Sequence, residues 1–533
     1  MEIAAHRPLK VAVLAKSRDR LEAWQLMVLD RLASEPLFDL ASIIVHQSAS
    51  KVRVPKLFAL EARLERKFLT HETPYVPKSF SPETQRFDDM GSSDLETPQS
   101  RDILRRLMQD LEVDIVIRMT PSGLPIGVSD ALPFGEWALS CSDQVSDDVD
   151  WFAYRGTISK AASVELLLYK SGGPDGSVDV VASSLFNTKT SAARVAASIK
   201  ERGVTLVMRE LRRLAETRQL RVIARRTISA IPPPSASELG RYVAALAGDL
   251  AARSIKKLRK KLRSGSSVWA LYTGGGHIED FDPQQSVEIP PTMNEIKADP
   301  FLFEHENECY LFCEAYADGQ KNAHIAVGRF RGDKFEHLGI ALRCEHHLSY
   351  PFVFRDGEDI FMMPERHQSR QLQIWRCVEF PLKWELYSTA LEGRSAADSV
   401  LMRHGGKWWL FTNLSDFHDY EDHCCELYVF EVDGPKLKRV TPHRHNPVVI
   451  DSTLARNAGR MFERGGRLYR PSQRNAYGIY GYGLNIMEVD ELSLDSYSER
   501  CIRTITPDFK KGLLGCHHFD EVANRYVLDA RLT

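Results

Sequence analysis

ADPFLFEHENECYLFCEAY (298–316) joins two apolar runs through a short polar turn, and the same pattern recurs at SYPFVFRDGEDIFMMPER (349–366), ADSVLMRHGGKWWLFTN (397–413) and ARNAGRMFERGGRLYRPSQ (455–473). Turns such as His-Gly-Gly and Asp-Gly-Glu between runs rich in aromatic and β-branched residues are typical of β-hairpins. Recurrence at roughly 50 residues is the spacing of propeller blades. Because a propeller is a ring, we expect residues at equivalent places in the repeats to converge on one central pocket.

Several polar residues interrupt the apolar strands of these hairpins. Asp299 begins the first strand of the first repeat, Asp398 has the matching place in the third, and Glu314 and Glu365 end second strands. A pair of carboxyl groups can serve as acid and base at an acetal carbon. We therefore predict Asp299, Glu365 and Asp398 as catalytic and Glu314 as substrate-binding; the alternative is that each acid caps its own turn.

A second set of outliers is basic, amide or aromatic. It comprises Arg456, Arg460, Arg470, Gln473, Tyr477, His347 and Tyr350 in the segment HHLSYPF (346–352), and the pair His517 and His518. The planar fork of arginine suits phosphate or carboxylate, which predicts a sugar phosphate or nucleotide-sugar as substrate. The alternative is that Arg460 and Arg470 form ion pairs between blades. The histidines could act as a general base or bind a ligand hydroxyl.

Composition describes an ordinary globular protein and excludes some partners. The chain has 533 residues, 43% hydrophobic residues and a net charge of −2, so it offers no bulk attraction to nucleic acid. Its nine cysteines include no CxxC pair, which favours reduced thiols and a cytoplasmic location. Cys344 with His346 and His347 has no second ligand pair at finger-like spacing, so we predict no metal. The apolar stretch near the N-terminus is too short for a signal peptide.

The first half of the chain alternates strands and helices. Apolar runs at 9–16, 39–47, 113–119 and 137–141 predict strands, and helical periodicity predicts helices at 56–69, 99–112 and 189–217, with further strands at 164–170 and 178–185. We interpret the polar stretch 73–96 as a loop. This alternation indicates a Rossmann-like α/β domain with a parallel sheet. The first strand-to-helix turn, AKSRDR, has no glycine, which excludes a dinucleotide-binding or phosphate-binding loop there.

A Pro/Ser-rich boundary, ISAIPPPSASE (228–238), and a basic helix separate the halves. We predict an α/β domain at 1–227, a linker and helix at 228–266 and an all-β propeller at 267–533. The cations at 256–263 either complement a helix C-terminus or contact an anionic membrane surface or phosphorylated substrate. The strand at 267–273 could pair with 524–532 and so close the ring.

From Ala298 to Asp529 the chain resembles the five-bladed propeller domain associated with glucosamine inositolphosphorylceramide transferases. The segments that carry the resemblance are ADPFLF, HLSYPFVF with MMPER, EFPLKW, ADSV with KWWLF, HRHNPV, RNAGR, LYRPSQ with YGYGLN, and GCHHF. The architecture is also similar to five-bladed glycosidases, whose three acids lie on the first three blades; Asp299, Asp398 and Glu365 are the counterparts by position. The resemblance implies five blades and a carbohydrate substrate.

The first 220 residues resemble a formyltransferase-type domain, through AWQLMVLDRL, LEARLERKF and DIVIRM…GEWALS. That family's reaction depends on an Asn, a His and an Asp. Here Ser140 or Cys141 stands where the His is expected, and Asp143 is the one retained candidate. The resemblance therefore implies a degenerate module, with folate an unlikely cofactor.

These observations lead to one main hypothesis, a cytoplasmic carbohydrate-active transferase that builds a surface glycan or glycolipid from a nucleotide-sugar donor. Three alternatives remain open: a glycoside hydrolase, a non-catalytic glycan-binding module, and formyl transfer to an amino sugar.

Overall fold

The computed structural model describes residues 7–47, 56–70, 80, 85–91, 94–120, 122–141, 144–145, 149–172, 176–227, 229–230, 235–262, 269–290, 295–317, 322–332, 334–415 and 422–532. At 141, 144–145, 149–152, 229–230, 253, 256–262, 295–296 and 317 the backbone alone is described. The chain divides into two compact units, Met1–Ala252 and Arg253–Thr533.

The first unit is an α/β domain. Its elements in chain order are β1 (Leu9–Ala15), α1 (Ala23–Ser34), β2 (Phe38–His46), α2 (Lys56–Leu69), β3 (Phe87–Gly91), α3 (Pro98–Asp110), β4 (Ile115–Arg118), α4 (Ile126–Ser129), β5 (Glu136–Cys141), β6 (Gln144–Val145), α5 (Val149–Ile158), β7 (Ser163–Lys170), β8 (Ser177–Asn187), α6 (Ala192–Thr217), β9 (Ala224–Thr227), β10 (Ser229–Ala230) and α7 (Ala236–Leu262).

An eight-stranded sheet forms the centre of this unit, in the order β3-β2-β1-β4-β5-β7-β8-β9. The strands β3, β2, β1, β4 and β5 pair in parallel, whereas β5, β7, β8 and β9 pair antiparallel. The prediction of a parallel sheet is thus confirmed for its first five strands. The prediction of a loop across 73–96 is wrong at 87–91, where β3 pairs with β2, Ile43 opposite Phe87.

Local sequence signals explain where these helices begin. Thr97 precedes α3, and its side chain accepts a hydrogen bond from the Ser100 N–H; Ser191 caps α6 through the Arg194 N–H. Glu22 and Gln25 form a reciprocal capping box at α1. Such caps satisfy backbone donors that the first helical turn leaves unpaired. The linker predicted at 228–266 falls largely on α7, and the basic side chains at 256–263 lie outside the described set.

The second unit is a five-bladed β-propeller. Its strands are β11 (Trp269–Gly275), β12 (Val287–Glu288), β13 (Glu295–His305), β14 (Glu308–Ala317), β15 (His324–Arg331), β16 (Lys334–Leu342), β17 (Ser349–Asp356), β18 (Asp359–Glu365), β19 (Leu372–Glu379), β20 (Lys383–Ala390), β21 (Ala396–His404), β22 (Lys407–Leu414), β23 (Glu426–Val432), β24 (Val440–Pro442), β25 (Val449–Ile450), β26 (Phe462–Arg464), β27 (Arg467–Ala476), β28 (Ile479–Leu492), β29 (Tyr497–Ile505), β30 (Leu513–Gly515), β31 (Phe519–Val522) and β32 (Arg525–Leu532), with short 3₁₀ turns at Pro283–Gln285, His367–Ser369 and Pro507–Phe509.

Four blades are contiguous in sequence, and the fifth joins the two ends of the unit. The contiguous blades are β13–β16, β17–β20, β21–β24 and β26–β29. In the fifth, β11 pairs antiparallel with β32 from Trp269 opposite Arg531 to Gly275 opposite Arg525. This confirms the predicted ring closure, which pairs strand edges that would otherwise be open.

Large apolar side chains fill the space between blades. Phe301, Phe352, Phe411 and Tyr526 are all buried. Among the described side chains, Cys309, Cys344, Cys377, Cys501 and Cys516 are free thiols. Among the described residues, no helix is long and apolar enough to cross a membrane.

Candidate functional site

The innermost strands of the first three blades share a bulge that positions the site. The register shifts between Ala298 and Phe301, between Ser349 and Phe352, and between Ala397 and Val400. Within these bulges Asp299, Tyr350 and Asp398 have φ of 50°, 47° and 44°. A left-handed backbone at a residue other than glycine costs of order 1–3 kcal/mol and is concentrated at functional sites. Bulges of this kind re-aim a side chain.

Asp398 lies in a buried ionic cluster with Glu365 and Arg456. Arg456 Nε donates to Asp398 Oδ2 at 2.5 Å, and its Nη2 donates to Glu365 Oε2 at 3.5 Å. The Asp398 N–H also donates to Glu365 Oε2 at 3.3 Å, and His367 Nδ1 lies 2.9 Å from Glu365 Oε1. Blade two supplies Glu365 and blade three Asp398, and the segment before blade four supplies Arg456. The arrangement is a carboxyl pair with cationic partners on both sides.

The environment moves the pKa values of these two carboxyl groups apart. Burial and the Glu365 charge raise the pKa of Asp398 well above its ordinary value, although Arg456 opposes the rise. Burial would also raise the pKa of Glu365, but the hydrogen bond from His367 and the charge of Arg456 lower it below the ordinary value. The two pKa values therefore move in opposite directions, so a proton that the pair shares is favoured on Asp398 over Glu365.

A second cluster, Asp299 with His517 and Asp529, joins blade one to blade five. Asp529 Oδ1 accepts from His517 Nδ1 at 2.8 Å and from two backbone N–H groups, those of His517 and His518. Asp529 Oδ2 accepts from the Asp299 N–H at 3.1 Å. His517 Nε2 lies 3.7 Å from Asp299 Oδ1. Asp529 thus orients the imidazole toward Asp299.

Protonation is also uneven within this second cluster. Burial raises the pKa of Asp299 well above its ordinary value, against the lowering effect of His517. Burial lowers the pKa of His517, but Asp529 and Asp299 outweigh it and raise the pKa above the ordinary value. The charge of His517 lowers the pKa of Asp529 despite burial. The surroundings thus favour the neutral form of Asp299, the charged form of the His517 imidazole and the ionised form of Asp529.

Among the described side chains, Asp299, His517 and Asp529 lie close enough together to be considered as metal ligands. One possible ligand atom from each lies within 4.8 Å of the others. Their atoms, however, are already engaged: His517 Nδ1 and two backbone N–H groups donate to Asp529 Oδ1. Hydrogen bonding therefore accounts for the grouping without a cation.

The structure places three of the predicted site residues in structural contacts. The Tyr350 hydroxyl donates to the Gly459 carbonyl at 3.1 Å and accepts from the Gly459 N–H at 2.7 Å. Arg460 pairs with Asp520 at 3.0 Å, and the fully buried Arg470 with Glu499 at 2.6 Å. Arg460 thus follows the alternative of an ion pair between blades, whereas Arg470 pairs with Glu499 within the fourth blade.

The other predicted binding residues divide between the cluster and its surroundings. Gln473 Nε2 donates to Asp398 Oδ2 at 3.1 Å, and within the described residues its buried Oε1 has no hydrogen-bond partner. Glu314 Oε1 lies 3.3 Å from His347 Nε2, and the Glu314 charge contributes to the raised pKa of Asp299. Burial lowers the pKa of His518 to about 3, so this histidine is neutral. Tyr477 is 53% exposed and its ring contacts Tyr482.

Three residues of the site were not predicted. Asp529 and His367 make the contacts above, and Tyr480 is 37% exposed, with its ring 5.2 Å from the Arg456 guanidinium and 5.3 Å from the His517 ring. Asp529 carries the signal used for Asp398, a lone acid within an apolar strand. Tyr480 and His367 carry none, because their relation to the cluster arises across blades.

In the first unit the residues expected to replace the formyltransferase machinery are only partly described. Ser140 is buried in β5. The Cys141 side chain and Asp143 lie outside the described residues.

All five blades therefore supply side chains to one polar centre, which defines a propeller with a central acid–base cluster. Residues 285–520 match the family described as glucosamine inositolphosphorylceramide transferase 1, N-terminal. The chain is 35% identical over 232 residues to glucosamine inositolphosphorylceramide transferase 1 from Oryza sativa subsp. japonica, which is 42% of this chain and 31% of that protein. The relative of the same name from Arabidopsis thaliana is 33% identical over 233 residues, 42% of this chain and 30% of that protein. The chain thus spans about a third of the length of these curated relatives.

Solved structures similar to the chain include a GH32 β-fructofuranosidase from Bombyx mori, at 11% identity and a TM-score of 0.32, covering 40% of this chain and 52% of that one. An α-L-arabinofuranosidase from Lactobacillus brevis is 14% identical with a TM-score of 0.32, covering 44% and 90%.

Proposed function

We propose that the propeller binds a sugar at its central cluster and serves a transferase that builds a glycan or glycolipid in the cytoplasm. The observation that carries the proposal is the convergence of Asp299, Glu365 and Asp398, from three blades, on one buried centre where their pKa values are pushed apart. Strongly perturbed acids of this kind are typical of acid–base chemistry. The matching relatives are named for glucosamine and inositolphosphorylceramide, and this similarity supports a glycolipid as the product.

Each residue has a defined role in this proposal. Asp398 carries the proton that is donated to a leaving oxygen, and Glu365 with Arg456 holds Asp398 in place. Asp299, with His517 behind it, is the second proton-holding group. The free Oε1 of Gln473 accepts a hydrogen bond from a sugar hydroxyl. Tyr480 presents its exposed ring to a sugar face, since an aromatic ring with a polar tip suits a half-wet pocket.

The charges of the cluster favour the sugar over its phosphate. Arg456, Arg460 and Arg470 are each paired with a carboxylate, those of Glu365, Asp520 and Glu499. A diphosphate of a nucleotide-sugar donor would have to displace one of these ion pairs. We therefore propose that the cluster holds the sugar and that the donor's phosphates bind outside it.

A hydrolase would need a different geometry at the carboxyl pair. The carboxyl groups of glycosidases stand about 5 Å apart for retention, and further for inversion. Glu365 Oε2 instead accepts a hydrogen bond from the Asp398 N–H at 3.3 Å, and both carboxyl groups bind the same Arg456 guanidinium. They act as one proton-sharing group, which disfavours a hydrolytic role for this pair.

The resemblance of the first unit to a formyltransferase supports a second, non-catalytic role. With Ser140 or Cys141 in place of the expected imidazole, we propose that this unit is a repurposed module and that folate does not bind productively.

The test is a thermal-shift screen of the full chain against nucleotide-sugars, sugar phosphates, neutral oligosaccharides and 10-formyltetrahydrofolate. A ligand at 100 times its dissociation constant should add roughly 2.7 kcal/mol to the free energy of unfolding. We expect a shift with a sugar-containing probe that Asp398→Asn reduces. The matched control is Asp356→Asn, at an exposed position of β17.

Transfer assays with the probe that binds then separate catalysis from binding. Loss of general acid catalysis lowers the rate about 10²- to 10⁴-fold, so Asp398→Asn should lose turnover by that factor. If folded Asp299→Asn and Asp398→Asn both keep full activity, the assigned roles are wrong. If the folate alone shifts the melting temperature, formyl transfer replaces this proposal.

A further inference from the structure

Helix α2 (Lys56–Leu69) has two apolar faces, only one of which packs on the described part of the protein. Phe58, Ala62 and Glu65 are buried against the first unit. Leu57, Leu60, Leu64 and Phe68 are instead 66%, 55%, 48% and 70% exposed. Their spacing of three or four residues places them on one side of the helix. Such a contiguous exposed apolar stripe marks an interaction surface.

The charges that accompany this stripe have a single sign. The exposed side chains of Lys56–Leu69 are the four large apolar residues, Ala59 and the cations Lys56, Arg63 and Lys67. Neither acid of this helix is exposed. Glu65 is buried, and it accepts hydrogen bonds from the Ala193 N–H and the Tyr242 hydroxyl. Burial, together with the neighbouring Glu65, raises the pKa of Glu61 to about 9, so Glu61 is uncharged at neutral pH.

Charge complementarity decides between the two occupants that an apolar helix face could have. In a symmetric dimer the same patch would meet itself, which brings Lys56, Arg63 and Lys67 toward their own copies with no exposed acid on the helix to match them. An anionic lipid surface supplies the opposite charge along with an apolar interior. A helix with an apolar face flanked by lysine and arginine lies in the plane of a membrane interface.

We propose that α2 is a membrane-contacting helix, which inserts Leu57, Leu60, Leu64 and Phe68 among the acyl chains while Lys56, Arg63 and Lys67 bind anionic headgroups. Two signals are needed for stable attachment to a bilayer, and this helix carries both. The contact is independent of the proposed chemistry in the propeller and would hold the chain at the surface where a lipid substrate lies.

The experiment is co-sedimentation of the full chain with vesicles of phosphatidylcholine alone and with vesicles of equal parts phosphatidylcholine and phosphatidylserine. We expect binding to the anionic vesicles and weak binding to the neutral ones. Leu60→Ser with Leu64→Ser should abolish it. Each cation contributes about 1 kcal/mol near an anionic surface, or roughly a five-fold change in affinity. Arg63→Gln with Lys67→Gln should therefore weaken binding about 25-fold by the same constants.

Matched controls distinguish binding through this face of α2 from nonspecific binding of the protein surface to vesicles. Val222→Ser with Ile223→Ser alters two exposed apolar residues of the same unit, and Arg105→Gln with Arg106→Gln removes two exposed cations of α3. Both should bind anionic vesicles like the unaltered chain. Equal melting temperatures show that all variants are folded.

Three results would overturn the proposal. One is equal binding of the α2 variants and the unaltered chain. The second is no binding to either vesicle. The third is a dimer, seen by light scattering, that Leu60→Ser with Leu64→Ser dissociates, because that result would make a second copy the occupant.

Discussion

Two pairs of neighbouring carboxyl groups in this protein each have one member with a raised pKa, and the two pairs differ in the groups that bind them. Glu61 and Glu65 stand one turn apart on α2, and burial raises the pKa of Glu61 to about 9. Glu365 and Asp398 come from different blades, and burial raises the pKa of Asp398 well above its ordinary value. In both pairs the low polarity of the surroundings favours the protonated form of one carboxyl group.

The partners of the two pairs differ. Glu65 is held by neutral donors, the Ala193 N–H and the Tyr242 hydroxyl. In the propeller pair, Glu365 and Asp398, the partners are Arg456 and His367. A raised pKa alone therefore does not mark a site. In the propeller the raised pKa of Asp398 is accompanied by charged partners from separate segments, and this combination supports the proposed site.

Removal of Arg456 should disrupt the buried contact between Glu365 and Asp398. In Arg456→Met, Asp398 and Glu365 lose their ion-pair partner in a buried setting. Breaking a buried ion pair in this way costs about 3–5 kcal/mol. We expect calorimetry to show a lower melting temperature for the propeller, equivalent to a loss of this size in its free energy of unfolding.

The control for this variant is Arg376→Met, which removes an exposed cation from its pair with Glu385. Exposed pairs contribute about 0–1 kcal/mol. If the two variants lose equal stability, Arg456 does not hold the propeller pair together.

The fold could be predicted where its signals are local. The periodicity of KLFALEARLERKFL gives α2 at 56–69, as found, and the hairpin pattern gives the blades. The strand β3 was missed because FDDMG is polar and is exposed or half-buried at the sheet edge. Its pairing with β2 depends on a neighbour distant in sequence.

The site could be predicted in part for the same reason. Asp299 and Asp398 stood out because acids interrupt apolar strands at equivalent positions of the repeat. Tyr350 has the third such position, yet its hydroxyl is bonded to Gly459, 109 residues away. The partner of Arg470, Glu499, lies on another strand of the same blade. Contacts of this range are set by the packed fold, which local patterns do not encode.

Removal of the Tyr242 hydroxyl, a neutral donor to Glu65, should lower stability by less than removal of Arg456. Tyr242→Phe removes the hydroxyl that donates to Glu65 and accepts from the Ala192 N–H at 2.9 Å. Leaving buried groups unsatisfied costs about 1–3 kcal/mol. We expect a lower melting temperature for the first unit and no change in ligand binding by the propeller.

Tyr154→Phe is the matched control. The Tyr154 ring packs 4.8 Å from that of Tyr242, and within the described residues its buried hydroxyl has no hydrogen-bond partner. Its removal should leave stability unchanged. Equal losses in both variants would show that ring packing, and not the bond to Glu65, supports the pair.

The smallest expected effect is a gain of stability that depends on pH. The pKa of Glu61 is about 9 in the folded chain and near its ordinary value when unfolded. Between these values the folded chain holds a proton that the unfolded chain has released, so stability falls as pH rises. Glu61→Gln removes this dependence. Because Glu61 is only half-buried and solvent screens its charge, we expect a gain of only about 1 kcal/mol at about pH 8 and none at about pH 4. Thermal midpoints measure it, with the exposed Glu96→Gln as control. A gain that is the same at both pH values would mean that Glu61 is not the protonated member, and that the two pairs differ in protonation as well as in their partners.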